Sequence, residues 1–82
     1  MYRIDEPIAL LELRYNYQPR TFRWRGMTHA INLVERRWAD AGLPWRPGDR
    51  QYWRVRCQDG RRYDIYQDLR ANTWHLAAIR AA

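Results

Sequence analysis

Lysine is missing from this chain, and all 15 basic residues are arginine. A phosphate-gripping P-loop needs its lysine, so that nucleotide-binding device is excluded. Only one cysteine occurs, Cys57. That rules out an internal disulfide and a cysteine-rich zinc site, and an intracellular, cytoplasmic location is the default expectation. The four glycines are scattered and form no phosphate-cradling run. No apolar stretch approaches the roughly 20 residues of a membrane-crossing helix. The stretch Met1 to Leu13 carries Asp5, Glu6 and Glu12 with no basic region ahead of an apolar run, so it does not read as a signal peptide. Neither His29 nor His75 falls at ligand spacing from Cys57 or a carboxylate, and no metal or other cofactor is expected. Asp5-Glu6 reads as a solvated acidic pair. No convergent set of catalytic groups emerges, and the chain is expected not to be an enzyme.

What is present fits one small globular domain spanning residues 1–82, with 46% hydrophobic and 29% charged residues. The net charge is +6. Two readings compete for the missing lysine: arginine suits phosphate and base contacts, and GC-rich coding alone would also replace lysine by arginine. Coding bias does not create a positive excess, because Asp and Glu are also available to such a genome. A basic domain attracts polyanions.

The chain is punctuated at Pro19, Gly26, Gly42 to Asp49, Asp59-Gly60 and Asp68 to Asn72. The short segments between mostly alternate apolar and polar residues, which predicts an all-β fold. In the first segment, Ile8 to Tyr17, the alternation places Leu11, Leu13, Tyr15 and Tyr17 on one face. In the second, Thr21 to Arg25, Phe22 and Trp24 oppose Arg23 and Arg25. Met27 to Ala41 supports two readings. Ile31, Val34, Trp38 and Ala41 have helical spacing, giving an α+β alternative with one helix at about 29–41. A period of two instead gives a long strand with a bulge near Leu33-Val34, which is the preferred reading. Gly42 to Asp49 is a loop.

The hairpin Gln51 to Gln67 can be tested by register. A two-residue turn sets Val55 against Asp64 and Cys57 against Arg62. A three-residue turn, Gln58-Asp59-Gly60, pairs Val55 with Tyr63, Trp53 with Ile65, Tyr52 with Tyr66 and Arg54 with Asp64. All of these are compatible, so the longer turn is predicted, with Gly60 in the left-handed position. A last strand follows from Thr73 to Ile79. Five or six antiparallel strands with short connections make a small meander that closes into a barrel or a strongly twisted sheet.

Trp24, Trp53 and Trp74 lie on the inferred inner faces and read as core. Cys57 shares that side and reads as a small buried hydrophobe. His75 lies opposite Trp74 and Leu76 and reads as an exposed or edge histidine. Tyr52, Tyr66, Arg54 and Arg56 share the outer face of the hairpin. Aromatics interleaved with arginines suit single-stranded nucleic acid, where rings stack on bases and guanidiniums meet phosphates. Arg23 and Arg25 extend this face if their strand lies beside the hairpin. Trp45, in its proline-flanked loop, and Trp38 are candidate anchors for a protein partner.

Several pieces, in this order and spacing, resemble a bacterial family of small domains of unknown function. They also resemble the C-terminal tail of mutasome-associated, catalytically inactive Y-family polymerase-like proteins. The pieces are Phe22-Arg23-Trp24-Arg25-Gly26, Ile31 with Arg37-Trp38, Tyr52-Trp53-Arg54-Val55, Asp59-Gly60, Tyr63, Ile65-Tyr66, Asp68, Trp74 and Leu76. The match departs at His75, where the family carries an aromatic, and at Gln51 and Gln67. The resemblance implies a non-catalytic module in a DNA repair or translesion synthesis setting.

The functional expectation is therefore an accessory module that binds nucleic acid, DNA more than RNA. The alternatives are a protein-interaction module that assembles a repair complex, and a small domain that pairs with a second copy through a strand edge.

Overall fold

The computed structural model describes residues 2–46 and 48–80. Met1, and Pro47 of the predicted loop, lie outside the described residues. Six antiparallel strands follow one another: β1 (Tyr2–Arg14), β2 (Gln18–Trp24), β3 (Met27–Ala39), β4 (Arg50–Cys57), β5 (Arg62–Asp68) and β6 (Thr73–Arg80). Each pairs with the next, and β1 returns to pair with β6, so the meander closes as a barrel. The expected all-β barrel is the observed fold.

The β4–β5 hairpin has the predicted register. Val55 faces Tyr63, Trp53 faces Ile65, Tyr52 faces Tyr66 and Arg54 faces Asp64. The Cys57 amide donates to the Arg61 carbonyl at 3.0 Å, leaving Gln58-Asp59-Gly60 as the turn. Gly60 sits at φ +79 with open space where a Cβ would stand. Gly60→Ala should therefore cost only backbone strain, about 1 kcal/mol, with no steric clash. Urea unfolding would read this as a lower midpoint at an unchanged slope. Asp59 locks the turn by accepting the Arg61 amide at 2.9 Å and the Tyr63 hydroxyl at 2.6 Å.

Residues 27–39 form a strand, not the alternative helix. The register explains the ambiguity. Going down β4, the inward residues Cys57, Val55 and Trp53 recur every second position. Their β3 partners are Ile31, Val34 and Arg37, which recur every third. Register shifts between Ile31 and Leu33 and between Val34 and Arg36 each insert one residue. Two bulges in a strand thus imitate helical spacing.

The first strand needs two corrections. It starts at Tyr2, and Tyr15–Tyr17 form the turn that ends it. Its core side is Ile4, Ile8 and Leu10, whereas the predicted apolar face of Leu11, Leu13, Tyr15 and Tyr17 is exposed. Glu6 lies on the inner side among the true core residues and hid their pattern. The supposed solvated pair is also split by a bulge, with Asp5 at φ +53. Asp5 accepts the Tyr66 hydroxyl at 2.8 Å. Glu6 accepts the Trp24 indole N–H at 3.1 Å and takes Arg25 through two bonds.

Those bonds, Arg25 first and then Trp24, hold the Glu6 carboxyl below its ordinary 4.5. A lowered carboxyl adds stability above its unfolded value and loses it as protons arrive below that value. Unfolding midpoints should stay level from neutral pH down to about 5 and fall as the pH drops below 4.5. In Glu6→Gln that acid-side fall should be shallower.

Inside, Phe22, Trp53, Val55, Tyr63, Ile65, Trp74 and Leu76 form one buried cluster, against which Trp24 packs half-buried. Cys57 lies in the same core, and burial pushes its thiol up to about 12. It is the small buried hydrophobe the sequence suggested.

Candidate nucleic-acid interface

On β4 the side chains that point away from the core are Arg50, Tyr52, Arg54 and Arg56, alternating with Trp53, Val55 and Cys57. Pairing extends each of them into a row across the outside of the barrel. Tyr52 meets Trp38 on β3 and Tyr66 on β5, and Tyr66 meets His75 on β6. Four aromatic rings thus stand side by side on four consecutive strands. The Trp38 and Tyr52 centroids are 5.3 Å apart with planes 4° from parallel. Tyr52 and Tyr66 are 5.3 Å apart, and Tyr66 and His75 are 4.7 Å apart at 13°. Arginines cap the row: Arg36 lies 4.9 Å from the Trp38 ring, and Arg50 lies 4.5 Å from the Tyr66 ring.

The neighbouring rows are basic. Arg36 is paired with Arg54, Arg56 with Arg62, and Arg62 with Arg80. Like charges directly opposite one another on a sheet are destabilising, by tenths of a kcal/mol or more each. Two carboxylates serve these five arginines. Asp64 takes Arg54 at 2.9 Å and Arg80 at 2.9 Å. Glu35 takes Arg56 at 3.2 Å and Arg62 at 3.1 Å. Five positive charges against two negative ones leave an excess of three on this face.

A shallow groove of about 340 Å³ runs between the aromatic row and the basic ones. Trp38 and Tyr52 wall it, Ala77 and Ala78 lie along it, and two arginines, Arg3 and Arg80, line it together with two carboxylates, Asp5 and Asp64. It is open and within the size range of ligand sites. Apolar ring edges and cations thus lie within one side chain of each other.

The structure brings together Tyr52, Arg54, Arg56 and Tyr66, as the sequence implied. Tyr66, however, is only 4% exposed and cannot offer a ring face to a ligand. Burial and the hydrogen bond to Asp5 push its hydroxyl up to about 12. It supports the row from within, and Trp38 and Tyr52 carry the accessible part. Arg23 and Arg25 do not extend this face. Arg23 is on β2, which lies between β1 and β3 and away from the hairpin, and Arg25, in the turn after β2, is tied to Glu6 at 2.6 Å. Trp38 belongs to the aromatic row and not to the loop with Trp45. Trp45 itself is 79% exposed at the tip of the turn that Leu43 and Arg46 close.

Sequence reasoning missed six members of this face: Arg3, Arg36, Arg50, Arg62, Arg80 and His75. His75 is half-buried and stacked, where an exposed or edge position was expected. It fills the place where an aromatic was expected from the resemblance. The register that predicted Tyr52 opposite Tyr66 also puts Arg56 opposite Arg62, so that pair was within reach. Arg36 and Arg80 were not, because bulges in β3 and β6 shift their parity.

No curated protein and no solved structure matches the chain significantly. One family does, over residues 2–81. The chain belongs to the family described as Domain of unknown function (DUF6504).

Proposed function

We propose that this domain is a non-enzymatic accessory module that binds single-stranded nucleic acid, DNA before RNA, on the outer face of β3–β6. The observation that carries the reading is arginine set against arginine on neighbouring strands beside an aromatic row. Such an arrangement costs stability in the free protein and becomes favourable when phosphates lie between the guanidiniums. Trp38 and Tyr52, stacked on one another, supply apolar ring edges for a base at the groove, and Arg3 and Arg80 supply phosphate contacts at its rim. The preference for DNA, and a role in repair or translesion synthesis, rest on the resemblance to polymerase-like tails.

The test is a fluorescence-anisotropy titration with labelled single-stranded DNA, duplex DNA and single-stranded RNA. Single-stranded DNA should bind tightest. Its log affinity should fall with log salt at roughly −0.7 per phosphate contact, giving a slope of about −2 to −3 for three or four contacts. Equal, weak binding of all three that vanishes near physiological salt would sink the reading. The exposed Trp45 would then favour a protein-interaction module.

A further inference from the structure

The barrel closes along only part of one seam. β2 and β3 pair from Thr21–Trp24 to Met27–Ala30 and then part. Beyond Ala30, and among the described residues, β3 pairs only with β4, out to Ala39. On the β2 side Pro19 has no amide hydrogen to continue the ladder, and it is fully buried, so it cannot swing aside. A cleft of about 510 Å³ occupies the gap, between Arg14, Pro19 and Arg20 on one wall and Ile31, Leu33 and Val34 on the other. Leu33 is 53% exposed there.

We infer that this open edge of β3 is a docking site for an extended acidic segment of another protein, which adds a strand to the barrel in the cleft. An unpaired edge offers a row of backbone donors and acceptors, and strand addition uses them while alternate side chains set specificity. Charge selects the occupant. Arg14 and Arg20 have no carboxylate partner within ion-pair distance among the described residues. Glu35, the one acid on this stretch of β3, is held by Arg56 and Arg62 on the β4 side. A second copy of the chain would set the same arginines against one another. Apolar contacts from Ile31, Leu33 and Val34 call for apolar residues alternating with the acids. The cleft lies on the β2 side of β3, apart from the aromatic row, although Leu33 in it is the cross-strand partner of Arg56.

The probe is a fluorescein-labelled peptide of about seven residues, alternating Glu and Val, which matches a typical strand length. Two controls accompany it, one with Lys for Glu and one N-methylated at every backbone nitrogen, so that neither edge of the peptide can donate. The Glu peptide should bind at least about 10-fold tighter than the Lys peptide, as opposite charges across an interface require. Arg14→Glu with Arg20→Glu should reverse that order, and N-methylation should abolish binding. Hydrogen exchange of the β3 amides between Asn32 and Arg36 should slow in the complex. Affinity of the double variant for single-stranded DNA should stay within about twofold of the parent, since neither arginine lies on the nucleic-acid face. Four results would overturn the inference: no binding of the Glu peptide, equal binding of the N-methylated one, loss of peptide and DNA affinity together, or concentration-dependent protection of β3 in the protein alone, which would put a second copy in the cleft.

Discussion

Replacing Arg54 and Arg56 together by alanine should weaken single-stranded DNA binding about 100-fold, or roughly tenfold for each charge-assisted contact removed. The salt slope should become shallower by about 1.4, because two phosphate contacts are gone. The fold should survive the change. Asp64 keeps Arg80 and Glu35 keeps Arg62, so neither carboxylate is stranded. A melting curve would confirm that the loss lies in binding and not in folding. A double variant that binds as well as the parent would show that the arginine rows are not the contact surface.

Asp64→Asn should move stability and affinity in opposite directions. Asp64 is 5% exposed and is shared by two guanidiniums. Its loss leaves Arg54 and Arg80 uncompensated beside Arg36 and Arg62. The pair partners are partly solvated, so the cost should be about 1–2 kcal/mol and short of the figure for a fully buried pair. The same change frees two guanidiniums for phosphate and removes a carboxylate that repels it. Affinity should rise about 3- to 10-fold, with a steeper salt slope. Chemical denaturation and anisotropy titration on the same sample read both quantities. A variant that loses stability and affinity together would indicate that Asp64 shapes the site and does not restrain its charge.

The parts of the fold that were legible in the sequence follow from local chemistry. The β4–β5 register came from side-chain compatibility alone, because a one-residue slip puts Val55 against Asp64. Gly60 was legible because the turn needs a left-handed residue. Bulges hid the rest. Those in β3 gave the spacing of Ile31 and Val34 a helical look. The one between Arg3 and Glu6 in β1 separated Asp5 from Glu6 and sent one to Tyr66 and the other to Trp24. Bulge positions depend on how the barrel curves, and a single strand's pattern does not record that.

The candidate site was legible in proportion to its distance from these bulges. Tyr52, Arg54, Arg56 and Tyr66 lie on the regular hairpin and were found. Arg36, Arg80 and His75 lie on strands whose neighbours the sequence does not name. Arg23 and Arg25 were misplaced for the same reason: alternation shows which face a side chain takes, but not which strand lies beside it. Exposure was equally out of reach. Only the packed barrel shows that Tyr66 is covered while Tyr52 is not.

The most direct test of the nucleic-acid face is an NMR titration of the isotope-labelled domain with a short single-stranded DNA. The arginine side-chain signals and the Trp38 indole would be followed near physiological salt. The account predicts saturable shifts at Arg3, Arg36, Arg54, Arg56, Arg62 and Arg80 and at the Trp38 and Tyr52 rings, with Arg23 and Arg25 unmoved. Shifts confined to β1 and β2, or spread evenly over every arginine, would contradict it.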